Sequence, residues 1–276
     1  MSKPTLYTFG MSVWAAVPEI ALVELEYPPD AIEKKVLNLA EGGNFTPEFL
    51  KINPNATLPT LTAGDKTYTT TDEVTHYLVE NAPKKVKAGT KSFIERIHED
   101  SLDPNFIFFA VRNEEEYKAA ASGFPFVFLD NRQKSLLKNA ATPEGAQFKA
   151  FYDAKSAGNG GLLALFKGEA PEAAKKGFFD NSIKHWQRIA AYIANELPDL
   201  LPESGFLGGE VPGEDDFHLA AWLARVASVI GGAPSKGGYR VFENETKAPV
   251  PAKVAAYWDA WTERPGWKQT YPTELH

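Results

Sequence analysis

The stretch FTPEFLKINPNATLPTLTAGDKTYTTTDEVTHYLVENA, from Phe45 to Ala82, packs several structural signals into close order. Thr46 followed by Pro47 reads as the N-cap and first position of a short helix. Leu58–Thr62 and Thr67–Thr69 read as two strands joined through Ala63-Gly64-Asp65-Lys66, a hairpin signal. Thr70-Thr71-Asp72-Glu73 is a capping box, with Val74, Tyr77 and Leu78 at helical spacing behind it. Pro59 is the odd residue, because a proline at a strand entry cannot donate to the ladder. An X-Pro bond takes the cis form at modest cost. In that form Leu58 offers its N–H and C=O together to an extended peptide, which pairs with them as a strand would. The N-terminus of the following helix adds free N–H groups and a positive dipole end, suited to a carboxylate. On pattern alone, an ordinary strand entry followed by an ordinary capped helix is the simpler reading. The sharper one is a site for an extended, carboxylate-bearing peptide.

Upstream, TLYTF (Thr5–Phe9) reads as a strand running into the helical segment GMSVWAAVPEIALVELEY. Pro18 fits best in a first turn, which predicts a regular helix only from near Val17. AIEKKVLNL reads as a second strand. The order β-α-β-α-β-β-α describes a compact α/β domain with a mixed sheet. Asn81-Ala82-Pro83 and KKVKAGT then form a polar linker, giving domains at 1–83 and 90–276. The second domain reads as helical. Phe179, Ile183, Trp186, Ala190, Ile193 and Leu197 form an apolar stripe at 3/4 spacing. Asp215–Ile230 is a small-residue helix built on Phe217, Ala220, Ala221, Ala224 and Ala227, and VPAKVAAYWDAWTERPGW is a third helix stopped by Pro265-Gly266. Within 113–145, SGFPFVFLDN is compatible with strand, loop or broken helix.

At 276 residues, 43% hydrophobic and 24% charged, the chain has an ordinary globular composition. No run approaches the ~18 apolar residues of a transmembrane helix, and MSKPTLYTFG has no apolar core of a signal peptide. The expectation is therefore a cytoplasmic protein that does not engage a membrane. The absence of cysteine excludes disulfides, thiolate metal sites and a cysteine nucleophile. Net charge is −7, with 11 acidic against 5 basic residues in 1–83, so no basic surface suits nucleic acid. Five scattered histidines (His76, His98, His185, His218, His276) form no ligand pair such as HExxH, so no metal is expected. No Gly-x-Ser-x-Gly elbow, Walker loop or GxGxxG fingerprint is present.

The order LYTFGMS…INPNATLPTL…TTTDEVTHYL resembles the thioredoxin-like N-terminal domain of cytosolic glutathione transferases. That signature is an Asn-Pro-x-x-x-x-Val/Leu-Pro segment followed by a Glu-Ser or Asp-Ser pair opening a helix that ends in Tyr-Leu. GFLGGEVPGEDDFHLAAWLA is similar to the family's capping element, with Gly213 at the N-cap and Asp216 in the acidic place. AWTERPGWKQTYP resembles its Arg-Pro-x-Trp ending. The long segment around 100–170, with Leu58 and FTPEFL, is similar to fungal members, some of them related to bacterial β-etherases or acting as ligand carriers. The fold implied is a thioredoxin-like α/β domain with a mixed four-stranded sheet, followed by an all-α domain.

The resemblance implies glutathione as the peptide and cosubstrate. Leu58, before a cis Pro59, would pair with its cysteinyl backbone, and the Thr71 N–H and hydroxyl would hold its γ-glutamyl carboxylate. Thr57 stands where a glutamine often contacts the ligand. Thr70 replaces the acidic partner of the γ-glutamyl ammonium, a role left to Asp72. Asn44 and Phe45 stand where some members place a basic pair for the glycyl carboxylate. Ser12, just before the first helix, falls at the catalytic position of serine-type members. There a hydroxyl donated to the sulfur favours the thiolate of a thiol whose free pKa is about 8.5. Alone, Ser12 reads as a capping residue. Trp14, Phe106 and Phe109 are candidates for a hydrophobic acceptor site, offering faces to aromatic ligands; the Phe cluster also reads as core. The implied function is conjugation of glutathione to hydrophobic, aromatic electrophiles by a homodimer. The alternative is a weakly catalytic or non-catalytic, ligandin-type carrier of aromatic compounds.

Overall fold

The computed structural model describes residues 3–276. The opening elements are β1 (Thr5–Thr8), α1 (Val13–Glu24), β2 (Glu33–Val36), α2 (Pro47–Ile52), β3 (Thr60–Ala63), β4 (Lys66–Tyr68) and α3 (Thr71–Glu80). They follow the expected order, and the four strands make one mixed sheet in the order β2-β1-β3-β4. β1 and β3 are antiparallel with Tyr7 opposite Thr60, and β3 and β4 are antiparallel with Leu61 opposite Tyr68. This register is set by burial: Leu6 and Leu61 face each other and both are fully buried, and a slip of one residue would turn both out of the core.

The helical remainder begins with α4 (Lys91–Ile97), the single turn α5 (Phe106–Phe109), α6 (Glu114–Ser122), α7 (Phe124–Ala140) and α8 (Lys149–Phe166). It continues with α9 (Glu172–Ala191), α10 (Leu197–Leu200), α11 (Glu214–Val229), α12 (Glu243–Thr246), α13 (Ala252–Thr262) and α14 (Pro265–Thr270). By contact the chain divides into two compact units. The first takes the chain up to Lys35, Leu58–Ile107 and His185–His276; the second takes Val36–Thr57 and Phe108–Lys184.

In the first unit, α11 is buried along almost its whole length, and Ala220, Ala221, Ala224 and Ala227 let neighbouring elements approach closely. The Asp216 carboxylate accepts the N–H groups of Leu207, Gly208 and Gly213 at 2.7–2.8 Å and the Tyr257 hydroxyl at 2.9 Å. The neighbouring acids hold the linker: Glu214 accepts the Gly89 N–H and Asp215 the Thr90 N–H, each at 2.7 Å. At the C-terminal end, Glu24 of α1 pairs with Arg264 and accepts the Gly266 N–H at 2.8 Å. In the second unit, Phe45, Leu50, Ala56, Leu136 and Tyr152 form one core cluster, and Val111, Leu129, Leu163 and Phe166 another.

Two sequence expectations change, and two are filled in. The first helix starts at Val13, with Pro18 inside it. Proline removes the N–H that would reach the Trp14 carbonyl, but Val13, Ala15, Ala16 and Val17 are all buried, and that burial outweighs one lost bond. From α9 into the turn that follows it, the buried stripe runs Ser182, Trp186, Ile189, Ile193, while Ile183 is exposed. A π turn follows at Tyr192–Glu196, and Ile193 and Leu197 are buried as the spacing expects. Residues 113–145 are a broken helix, α6 and α7, interrupted at Gly123 with Pro125 in the first turn of α7. Pro265 stops α13 and also opens α14 as its first residue.

Candidate functional site

Sheet register alone brings three of the predicted segments to one end of the first unit. Because Tyr7 lies opposite Thr60, the segment leaving β1 toward Ser12 emerges beside the segment entering β3 through Leu58-Pro59. Because Leu61 lies opposite Tyr68, β4 also delivers its chain to that end, where Thr70 opens α3.

Ser12 is the N-cap of α1, and its Oγ accepts the Ala15 N–H at 3.4 Å. A hydroxyl carries one donor and two acceptor positions, so this bond leaves the O–H to donate elsewhere. The Ser12 N–H is fixed on the Phe9 carbonyl at 2.9 Å. Leu58-Pro59 is a cis peptide. The Leu58 side chain is buried, and among the described residues no hydrogen bond uses its N–H or C=O.

At α3 the capping box forms as the sequence indicates. Thr70 Oγ1 accepts the Glu73 N–H at 3.2 Å, and the Glu73 carboxylate accepts the N–H groups of Thr69 and Thr70 at 2.9 and 3.3 Å. A box satisfies the cap and the third helical position but not the first two. Among the described residues, nothing accepts from the N–H groups of Thr71 and Asp72. Thr71 is buried, Thr70 and Asp72 are exposed, and the Thr71 carbonyl takes the Thr75 hydroxyl at 2.7 Å.

Trp14 stacks on His98, with ring centroids 3.8 Å apart and planes at 25°. His98 Nε2 lies 2.8 Å from His218 Nδ1, so one ring donates and the other accepts. Burial lowers the His98 pKa to about 4 and pushes His218 well below the usual value, helped by its neighbour. Both are therefore neutral at pH 7. Phe106 meets His185 edge to face at 4.8 Å, and His185 Nε2 lies 2.9 Å from the Asp103 carbonyl.

The remaining predicted residues belong to the second unit. Asn44 is buried and its Nδ2 donates to the Ala56 carbonyl at 2.6 Å, so its amide serves the loop. Asn53 is fully buried and caps the end of α2. Its Nδ2 donates to the carbonyl and hydroxyl oxygens of Thr57, both at 3.1 Å, and its Oδ1 accepts the Asn55 N–H. Asn53-Pro54-Asn55 is thus a side-chain-braced turn that delivers the chain toward Pro59. Phe109 packs on Phe108 and Phe128 at 4.8 and 5.8 Å. Arg132 lies over the rings of Phe45 and Phe128 and donates to the Leu39 carbonyl at 3.2 Å; burial lowers its pKa to about 10.

Sequence reading gave His98 and His218 no role, and did not single out Arg225, whose Nη2 donates to the Met11 carbonyl at 2.6 Å. Arg225 had a signal, being the lone cation in the apolar run AAWLARVASV; the histidines had none, because their partners are distant in sequence. Among the described residues, no group of three or more His, Asp or Glu is placed to hold a metal ion, and no helix is long and apolar enough to cross a membrane.

Residues 6–86 match the glutathione S-transferase N-terminal domain. The structure is similar over 98% of this chain and 99% of the other to the β-etherase LigF from Sphingobium sp. strain SYK-6, at 17% identity and a TM-score of 0.59. It is similar to Gtt2 from Saccharomyces cerevisiae over 96% and 99%, at 16% identity and a TM-score of 0.52. Poplar glutathione transferase F1 matches over 98% and 97%, at 15% identity and a TM-score of 0.51. At these identities the likeness concerns the fold, which is that of glutathione transferases.

Proposed function

We propose that the protein is a serine-type glutathione transferase, with residues 1–83 binding glutathione and residues 90–276 supplying the acceptor surface. Ser12 carries the reading. Its oxygen accepts the Ala15 N–H while its O–H remains available, so capping and donation to a sulfur are simultaneous rather than competing tasks. A hydrogen bond to a charged acceptor is worth about 1.5–3 kcal/mol, enough to draw a thiol with a free pKa of about 8.5 toward ionisation at neutral pH. Leu58 pairs with the cysteinyl backbone of the tripeptide. The N–H groups of Thr71 and Asp72, at the positive end of α3, take the γ-glutamyl carboxylate. Thr70 and the exposed Asp72 carboxylate stand nearest the γ-glutamyl ammonium. The electrophile is hydrophobic and aromatic, with Trp14 and Phe106 as candidate contacts, and the thiolate attacks it with proximity lowering the barrier.

Ser12→Ala is expected to lower conjugation to an aromatic halide by roughly 10- to 100-fold while glutathione affinity stays within a few fold. Unchanged turnover would remove Ser12 from the mechanism. Absent turnover in the wild type, with aromatic ligands still bound, would favour a carrier. A homodimer is also proposed; light scattering should then give roughly twice the 30.3 kDa chain mass, and a species at the chain mass alone would overturn it.

A further inference from the structure

Among the described residues, no carboxylate pairs with Arg132 of α7. Its Cζ lies 4.3 Å from the centroid of the Phe45 ring and 5.0 Å from that of Phe128, and one N–H is donated to the Leu39 carbonyl at 3.2 Å. A guanidinium carries five N–H groups and no acceptor. Its Nε and Nη2 make no hydrogen bond among the described residues, yet both reach solvent. Together they form one edge of the guanidinium, on which a carboxylate makes two parallel bonds. The acid two residues before it, Asp130, is held by Lys134 at 2.6 Å. Burial alone lowers the Arg132 pKa, with no nearby acid opposing it.

Beside this cation lies an aromatic surface. The rings of Phe108, Phe124 and Phe128 form a near-equilateral triangle, with centroids 5.9, 5.9 and 6.1 Å apart and planes at 64–77°. Edge-to-face contact of this kind suits the addition of a further ring. The triad is not closed over, since Phe124 is 43% exposed and its neighbour Val127 46%. Phe124, Phe128 and Arg132 are spaced four residues apart, so they share one face of α7, while Leu129 and Leu136 are buried. A step of four residues rises ~6 Å, comparable to the span from an aromatic ring to a carboxylate on a short arm.

The two features select one class of ligand. A neutral aromatic uses the rings and leaves the guanidinium edge unmet, and an inorganic anion does the reverse. We propose that this face of α7 binds a small aromatic carboxylate, with the carboxylate forked on Arg132 and the ring against Phe108, Phe124 and Phe128. The site lies within the second unit and does not depend on the transferase reading. Charge assistance makes the fork the stronger contact, and the rings make it selective.

The test is calorimetric titration of the whole chain with cinnamate and with its neutral counterpart, methyl cinnamate, in the wild type, Arg132→Gln and Phe124→Ala. Cinnamate is expected to bind the wild type more tightly than the ester. Arg132→Gln should weaken cinnamate by at least about tenfold and leave methyl cinnamate within about threefold. Phe124→Ala should weaken both ligands by several fold. Cinnamate binding Arg132→Gln as tightly as the wild type overturns the inference, and so does a wild type that takes no cinnamate or prefers the ester. Should Arg132→Gln fail to fold, Phe124→Ala decides, because that ring is largely outside the core. Weakened cinnamate binding there supports the site, and unchanged binding overturns it. Unchanged affinity together with a halved particle mass in light scattering assigns the exposed rings to a second copy of the chain, and the inference falls.

Discussion

His98 and His218 stand 120 residues apart in the chain and 2.8 Å apart in the fold, so no local pattern could have paired them. Their pairing makes a pH prediction. The folded pKa of His98 is about 4 because of burial, against about 6.5 unfolded. Between those values the unfolded chain binds the extra proton, so stability rises with pH through this window and is level above it. Acidifying from pH 7 to 5 should cost about 2 kcal/mol from this residue. Glu214 and Asp216, whose carboxyls burial lifts, work in the opposite sense. The histidine's share is therefore the difference between wild type and His98→Gln in urea unfolding across that range. Equal slopes would remove His98 as the cause. Ser12, by contrast, was legible as the cap of α1, because capping depends only on neighbours within one turn.

At the scale of elements, short-range chemistry was readable and long-range choice was not. The Thr46 cap, the Thr70–Glu73 box and the Gly213 cap all formed where the residues indicate, since each depends on neighbours within one turn. Pro18 and Ile183 misled because burial decides such positions, and burial depends on partners far along the chain. Asp216 shows how much one such residue can carry. Its carboxylate satisfies three backbone N–H groups and one phenol, and removing it leaves all four without that acceptor in a buried place. Asp216→Ala should therefore cost more than about 3 kcal/mol. The check is the urea midpoint at constant slope, and a loss under about 1 kcal/mol would mean water readily replaces the carboxylate.

For the whole molecule, net charge sets the terms of recognition. The chain carries −7 overall, and residues 1–83 hold most of that excess, so an anionic tripeptide approaches against the general field. Binding must come from local donors, and the candidates are the N–H groups opening α3, the Leu58 backbone and the Ser12 hydroxyl. The Ser12 hydroxyl bonds an ionised sulfur most strongly, which separates glutathione from its S-methyl derivative. Either ligand at about a hundred times its Kd should stabilise the fold by about 2.7 kcal/mol, a rise of several degrees in Tm. For glutathione the apparent affinity should grow from pH 6 to 8, because the bound thiol ionises below the free one and releases its proton on binding. The S-methyl derivative has no such proton, and its Tm shift should follow only the protein's own pH response. Subtracting one from the other isolates the sulfur, and a difference that stays flat with pH would mean that the site holds the neutral thiol and activates nothing.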